Sequence, residues 1–463
     1  MAYATTNPYT GEVVKRFPEA TDAEVANILD NAQQAFLGWK QTSFAKRKQV
    51  LQNAANLLRE RKDQFARLMA LEMGKMYREG LGEVELSAKI FEYYVQYAET
   101  LLAPEKLPVG NLNSGQAILV NEPLGILLAV EPWNFPVYQI ARILAPQLSA
   151  GNVLILKHAS IVPQCAAAFD QLMRDAGLPK GGFTNVYAAR HQIETIINDP
   201  RVQGVALTGS EGAGAVVASQ AAKALKKSTL ELGGADAFIV LSDADMEKTV
   251  NWAVTGRHWN GGQVCISAKR MIVLDDVYDE FMQRYTEGVR QLKAGDPMDA
   301  TTTLPPMSSQ QSADEIREKI AQAVSYGAKA IEVGEKVPSK GAFVQPTILT
   351  DVTEDNPARY WEFFGPVSMI FRAKDEDEAI RIANDSPFGL GGSIFTRDEN
   401  HGVALAHKIT TGMVFINHPT AAKADLPFGG VKRSGYGREL IGLGLKEFVN
   451  HKLINVVDID APF

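Results

Sequence analysis

One thiol and one carboxylate pose the chemical question for this chain. Cys265 stands in Asn260-Gly261-Gly262-Gln263-Val264-Cys265-Ile266-Ser267, and Glu231 in Leu230-Glu231-Leu232-Gly233-Gly234. Both settings are glycine-rich, which lets backbone come close to a ligand. A thiolate is a strong nucleophile, and a carboxylate can later activate a water to release what the sulfur has captured. The plain alternative for Cys265 is a small buried hydrophobe, the commonest fate of a free cysteine. A third candidate is Asn134, in Pro132-Trp133-Asn134-Phe135-Pro136. Prolines fix both ends of that turn, and a rigid turn holds the Asn134 amide N–H still, as an oxyanion donor requires.

A phosphate site is the next element such chemistry could use. Thr208-Gly209-Ser210-Glu211-Gly212-Ala213-Gly214 follows an apolar strand-like run and opens a helical one. A glycine-lined turn at a helix N-terminus suits an anion. The common dinucleotide fingerprint, G-x-G-x-x-G, occurs neither here nor elsewhere.

These residues need elements to hold them. At 463 residues the chain exceeds the roughly 250–300 at which one core stops growing. Residues 21–36 read as a capped helix, starting at the capping box Thr21-Asp22-Ala23-Glu24. Residues 44–73 and 83–102 are two further long helical patterns, the second an aromatic core-facing stripe. After Asn121-Glu122-Pro123 the pattern changes to short apolar runs at 125–130, 153–156, 205–207 and 238–240, with helices at 139–149, 163–176 and 212–225 between them. A second series follows Cys265, at 271–274, 367–371, 391–395 and 413–416. Apolar strands alternating with helices predict parallel α/β sheets covered on both faces. Two α/β domains are expected, with the boundary near Gly233-Gly234.

Composition narrows the function. A net charge of −7 argues against nucleic acid or an anionic membrane as a partner. Only Cys165 and Cys265 are present, so no disulfide framework is implied and a reducing compartment fits. Cys165 lies in a helical apolar pattern and reads as core. The seven histidines form no metal-ligand spacing, so no metal is expected. No apolar run reaches the about 18 residues of a membrane span, and no signal sequence opens the chain, so a cytoplasmic protein is expected.

Taken together and in order, Pro132-Trp133-Asn134-Phe135-Pro136, Leu156-Lys157, Thr208-Gly209-Ser210 with Gly214, Glu231-Leu232-Gly233-Gly234, Gly262-Gln263-Val264-Cys265, Glu362-Phe363-Phe364-Gly365-Pro366-Val367 and Pro427-Phe428-Gly429-Gly430-Val431-Lys432-Arg433-Ser434-Gly435 resemble the aldehyde dehydrogenase superfamily over nearly the whole chain. The resemblance implies two Rossmann-like open parallel-sheet domains with a small β oligomerisation extension. Residues 1–105 and 123–233 would bind NAD or NADP, 234–445 would carry the nucleophile, and 106–122 with 446–460 would form the extension of a homodimer or homotetramer. It implies Cys265 as nucleophile, Asn134 with the Cys265 N–H as oxyanion donors, and Glu231 as the base that activates water. Trp133, Lys157, Ser160, Gly209, Ser210, Gly214, Leu232, Glu362 and Phe364 match cofactor-binding positions.

One departure bears on the cofactor. Where NAD-preferring members carry a glutamate for the ribose 2′-OH, this chain has Ser160, in Lys157-His158-Ala159-Ser160. Losing that carboxylate removes repulsion against a 2′-phosphate, and Lys157 attracts one. Both NAD and NADP are therefore expected to serve. His158 reads as filler beside the adenosine.

The substrate funnel of the family maps onto Phe135, Tyr138, Arg142, Trp259 and Ala422. Arg142 is the informative one, because a cation among aromatic walls calls for an anionic partner. A bidentate contact to a substrate carboxylate is expected, worth about 1.5–3 kcal/mol. The competing reading is an internal ion pair. Arginine here resembles succinate semialdehyde dehydrogenases, with lactaldehyde and glycolaldehyde enzymes as the alternative. Some of the former carry a second arginine where this chain has Trp259 and a serine where it has Ala422. The second anchor is then expected among His418, Thr420 and Lys423. Ser267 stands where some relatives have a second cysteine, so no local disulfide switch is expected.

Overall fold

Apolar runs too short for helices pair into two parallel sheets, as their spacing predicts. The computed structural model of the chain describes residues 3–108 and 115–460. The first sheet has the order Gly435–Tyr436, Lys227–Glu231, Val202–Thr208, Ile126–Glu131, Val153–His158, Phe183–Asn185. Its pairings are parallel except that of Gly435–Tyr436 with Lys227–Glu231. The second sheet runs Lys329–Glu332, Thr347–Thr350, Val367–Ala373, Arg270–Leu274, Ala237–Val240, Gly392–Phe395, Phe415–Ile416, and only its Lys329–Glu332 edge is antiparallel. Strands buried on both faces need no polar alternation, and Ile126, Leu127, Leu128, Met271, Ile272 and Val273 are all fully buried.

The strand directions explain why distant motifs meet. Glu131, His158, Thr208 and Glu231 are the last residues of four parallel strands of the first sheet. The loops that follow them therefore leave from one edge, where open α/β sheets bind ligands. In the second sheet the Cys265 loop, Gly234 and the Glu362 stretch instead precede the strands Arg270–Leu274, Ala237–Val240 and Val367–Ala373. The carboxyl edge of one sheet thus faces the amino edge of the other.

Helices cover both sheets, and the predicted ones are present with two differences. Thr21 caps Asp22–Trp39 through the full capping box. The 44–73 pattern is broken at Arg61 (φ −99°, ψ 15°) into Phe44–Glu60 and Lys62–Met73. The stretch expected at 83–102 begins earlier, as Tyr77–Leu101. Near the C-terminus, Gly435–Tyr436 returns to the first sheet, and Leu440, Leu445 and Phe448 join the core of that sheet.

A third, antiparallel sheet joins Val449–Val456 to Gln116–Pro123 and Glu105–Lys106. It exposes Leu453, Ile454 and Val456. The middle of the 106–122 hairpin and the last residues of the tail lie outside the described residues. Among the described residues no helix is long and apolar enough to cross a membrane, and no cluster of metal-ligating side chains occurs.

Candidate active site

The loop that presents Cys265 is wound backwards. Asn260, Gly261 and Gly262 all have positive φ (51°, 64° and 76°), a run that only glycine, and less often asparagine, adopts at low cost. The turn lets Gly262 pack against the Gly365 carbonyl, where a Cβ would collide. Gly234 is bare for the same reason, since its Cβ would lie 2.6 Å from the Cys265 carbonyl oxygen. The glycines of both motifs are thus contact points between the Cys265 loop and its neighbours.

Lys269 grips the loop from below. It is fully buried, and its Nζ donates to the carbonyls of Val264 and Cys265, at 2.6 Å each. It also lies 3.3 Å from Glu362 Oε1, which accepts the Gly234 N–H at 3.0 Å. Across the loop, Asn134 is buried and its Nδ2 donates to the Gln263 carbonyl at 3.2 Å.

Two cavities meet at Cys265. One, of about 320 Å³, has Phe135, Tyr138, Arg142, Trp259 and Ala422 in its wall, so all five residues expected at the substrate funnel come together. Its aromatic wall is continuous, with the Phe135 and Trp259 rings 4.9 Å apart. Glu79, Leu86, Gln139 and Phe428 also line it and were not foreseen. The other cavity, of about 250 Å³, is lined by Trp133, Asn134, Gly209, Ser210, Leu232, Glu362 and Phe364. Trp133 and Phe364 meet edge to face in its wall, 5.7 Å between ring centroids. Gly214 lies on the helix Glu211–Lys223, where its missing side chain admits Leu232.

Lys157 and Ser160 stand apart from that cavity, at the end of Val153–His158. Burial lowers the Lys157 pKa, and Arg190, unnoticed in the sequence, lowers it further by repulsion. Lys157 Nζ lies 5.9 Å from the Tyr3 ring centroid, and neither cation has a carboxylate within salt-bridge distance among the described residues.

Several expectations need correction. His158 is no filler at the adenosine. It is buried, its Nε2 is 2.9 Å from the Pro136 carbonyl and its Nδ1 accepts the Ala159 N–H at 2.9 Å, so the neutral ring fastens the Pro132–Pro136 turn to the sheet. Burial pushes its pKa down to about 4. His418, Thr420 and Lys423 do not line the substrate cavity. His418 stacks on Trp252 and Thr420 bonds the Gly392 carbonyl, so neither is placed as a second anchor.

Arg142 lines the cavity but is not a free fork. Its Nε forms a buried ion pair with Glu439, and its Nη2 donates to Thr208 Oγ1 at 2.9 Å. The guanidinium is packed over the Tyr138 and Phe428 rings. Burial opposes the charge, but Glu439, Tyr138, Glu231 and Glu131 outweigh it and raise the Arg142 pKa. Two of its three nitrogens are thus already engaged within the protein.

Burial raises the pKa of both Cys265 and Glu231. Burial pushes the Cys265 thiol up to about 12, with Lys269 and Arg142 pulling the other way. Glu231 is buried, with neither carboxyl oxygen hydrogen-bonded, and lines neither cavity. Burial and then Glu439 hold its pKa well above the carboxylate range. Glu131 is raised in the same way. Cys165, by contrast, is a fully buried core thiol.

With this geometry in view, known proteins supply the context. The model of the family described as Aldehyde dehydrogenase family matches residues 1–454. The chain is 48% identical over 452 residues to a succinate-semialdehyde dehydrogenase (NADP+) of Deinococcus radiodurans, covering 98% of this chain and 94% of that one. It is 44% identical over 454 residues to a succinate-semialdehyde dehydrogenase (NADP+) 1 of Mycobacterium tuberculosis, covering 98% and 99%. Its structure is similar to that of the succinic semialdehyde dehydrogenase of Streptococcus pyogenes in complex with NADP+, with a TM-score of 0.96 and 46% identity, covering 99% of this chain and 100% of that one.

Proposed function

This chain belongs to the aldehyde dehydrogenase family, and on that premise we propose that it oxidises succinate semialdehyde to succinate, with NADP+ preferred and NAD+ also accepted. The observation that carries the substrate reading is a cavity with aromatic walls that ends on Cys265 and contains one cation, Arg142. The names of the similar proteins point the same way. Lactaldehyde and glycolaldehyde are the weaker reading, because neither brings a full charge to Arg142.

In this reading Cys265, as thiolate, adds to the aldehyde carbon. The Asn134 amide and the Cys265 N–H receive the charge that develops on the oxygen. The nicotinamide supplies the hydride acceptor. Loss of hydride converts the thiohemiacetal on Cys265 into a thioester. Glu231, once ionised, takes a proton from water, hydroxide adds to the thioester, and the C–S bond breaks to free the acid and restore the thiolate. Retention of Glu231 favours water over coenzyme A as the acyl acceptor.

The second cavity would hold the nicotinamide half of the cofactor, where Glu362 would accept from its ribose and Trp133, Gly209, Ser210, Leu232 and Phe364 would surround it. Gly214 keeps the helix face clear. At the other end Lys157, Ser160 and Arg190 present two cations without a carboxylate partner among the described residues and a hydroxyl, a donor set suited to a 2′-phosphate. Residues 1–105 and 123–233 form the cofactor domain and 234–445 the nucleophile domain. The strand Val449–Val456, which exposes Leu453, Ile454 and Val456 beside Gln116–Pro123, would be the surface for a homodimer or homotetramer built by 446–460 with 106–122. Work in the cytoplasm, without membrane, nucleic acid or metal, completes the reading.

A kinetic panel tests it. Aldehydes of two to six carbons, with and without a terminal carboxylate, are compared with both cofactors and with added coenzyme A. The four-carbon carboxylated aldehyde with NADP+ should give the highest kcat/KM, independent of coenzyme A. Equal kcat/KM for butanal would overturn the substrate assignment.

A further inference from the structure

We infer that the buried Lys75–Glu83 ion pair is the positioning device of the oxyanion hole, holding the Asn134 turn in register with the Cys265 loop. The inference rests on the reading of Cys265 and Asn134 given above.

Lys75 and Glu83 pair in the interior, where neither is exposed beyond 4%. Such a pair is poorly explained by stability, since apolar side chains of similar volume often stabilise as well or better. Its remaining polar atoms all point at one turn. Lys75 Nζ donates to the Asn134 carbonyl at 2.8 Å and sits 3.6 Å from the Phe135 ring centroid. Glu83 Oε1 accepts the N–H groups of Val137 at 2.8 Å and Tyr138 at 3.0 Å. These open the helix Tyr138–Ala150, which has no side-chain cap of its own, so Glu83 supplies both the acceptor and the negative charge that a helix N-terminus favours.

The helix Tyr77–Leu101, which carries Glu83, also holds the other half of the site. Glu79, one turn before Glu83, accepts the Asn260 N–H at 3.1 Å. Asn260 Nδ2 in turn donates to the Asn134 carbonyl at 3.0 Å and lies 3.3 Å from the Gln263 carbonyl. The Asn134 carbonyl is thus pinned by one donor from each side, while its side chain bonds the loop that carries Cys265. An oxyanion hole built from one side-chain amide and one backbone N–H on two different loops works only if their separation is fixed. A misplacement of about 1 Å costs on the order of 10²-fold in rate. Glu83 also lines the cavity that ends on Cys265, but among the described residues no hydrogen bond joins Lys75 or Glu83 to the Cys265 thiol or the Asn134 side-chain amide, so their hold on the site runs through the turn.

The test uses the whole enzyme and the double variant Lys75→Met/Glu83→Gln, in which both charges of the pair are replaced by neutral side chains of similar size. The first-turnover rate of cofactor reduction by succinate semialdehyde should fall by about 10²-fold, with KM changed less than about threefold. Alkylation of Cys265 by iodoacetamide, a displacement that needs no oxyanion donor, should stay within about twofold. Added to Asn134→Ala, the double variant should cost little more, because both changes remove one function. First-turnover rates at the normal pace, or alkylation falling in parallel, overturn the inference. If Asn134→Ala alone leaves the first turnover unchanged, the assignment of the oxyanion hole itself fails instead.

Discussion

Arg142, in the wall of the cavity that ends on Cys265, forms a buried ion pair with Glu439. Glu131 and Glu231 also face this one guanidinium, and burial keeps all three carboxyl pKa values raised. Arg142 therefore sits where it offsets a carboxyl cluster in the interior, and the substrate role proposed for it above has to coexist with that one.

The two roles separate by mutation. Arg142→Leu removes the ion-pair partner of Glu439 and should destabilise the fold by about 3–5 kcal/mol. It should also lower the preference for succinate semialdehyde over butanal by roughly tenfold or more, the worth of a charge-assisted hydrogen bond. Arg142→Leu/Glu439→Leu should recover most of the stability but none of the preference. Melting temperatures and kcat/KM ratios read both. Equal losses on both aldehydes would show that Arg142 recognises no charge.

The resting thiol makes a second prediction. With its pKa pushed up to about 12 by burial, Cys265 in the enzyme without cofactor has little thiolate at neutral pH. The rate of its alkylation by iodoacetamide should climb about tenfold per pH unit from pH 7 to 9 without levelling. A plateau near pH 7–8 would mean that the thiolate is stabilised by the protein alone.

Cofactor choice should lie in Lys157, Ser160 and Arg190. Lys157→Ala and Arg190→Ala should each raise KM for NADP+ by about tenfold or more and leave that for NAD+ nearly unchanged. Ser160→Glu should reverse the preference by placing a carboxylate against the phosphate. A parallel change for both cofactors would move the 2′-phosphate site elsewhere.

His158 ties stability to pH. Its folded pKa, about 4, lies below its ordinary 6.5, so the unfolded chain binds the proton more readily. Its contribution is fully present above pH 6.5 and is lost as pH falls from there towards 4. His258, lowered by burial to about 3, adds in the same direction. Denaturant midpoints of the native chain should fall through that window, and less steeply in His158→Gln. An equal slope in both would assign the acid lability to other groups.

The sequence made the chemistry legible where a residue type is rare or a spacing is special. Cys265 among glycines, Asn134 between prolines and the turn after Thr208 could each be read as working parts, and the strand–helix alternation placed them at sheet edges. Charged residues that work from the interior could not be read. Lys75, Glu83 and Lys269 are ordinary surface-type residues in sequence, and burial emerges only when helix and loop close over them. Arg142 shows the same limit, because Glu439 lies almost 300 residues away along the chain and nothing local ties the two. The break at Arg61 was hidden because both halves keep one helical period. The return of Gly435–Tyr436 to the first sheet is a two-residue pairing, too short to leave a pattern.

The thioester on Cys265 can be caught directly. In Glu231→Gln the acylation half remains and the water-activating group is gone, so mixing with succinate semialdehyde and NADP+ should give one rapid equivalent of reduced cofactor per subunit, followed by turnover slowed by about 10²–10⁴-fold. Acid quenching and peptide mass mapping should then find the succinyl group on the peptide that carries Cys265. Continued turnover at the normal pace, an unmodified Cys265 peptide, or reduced cofactor formed at the normal rate by Cys265→Ala would contradict covalent catalysis at this thiol.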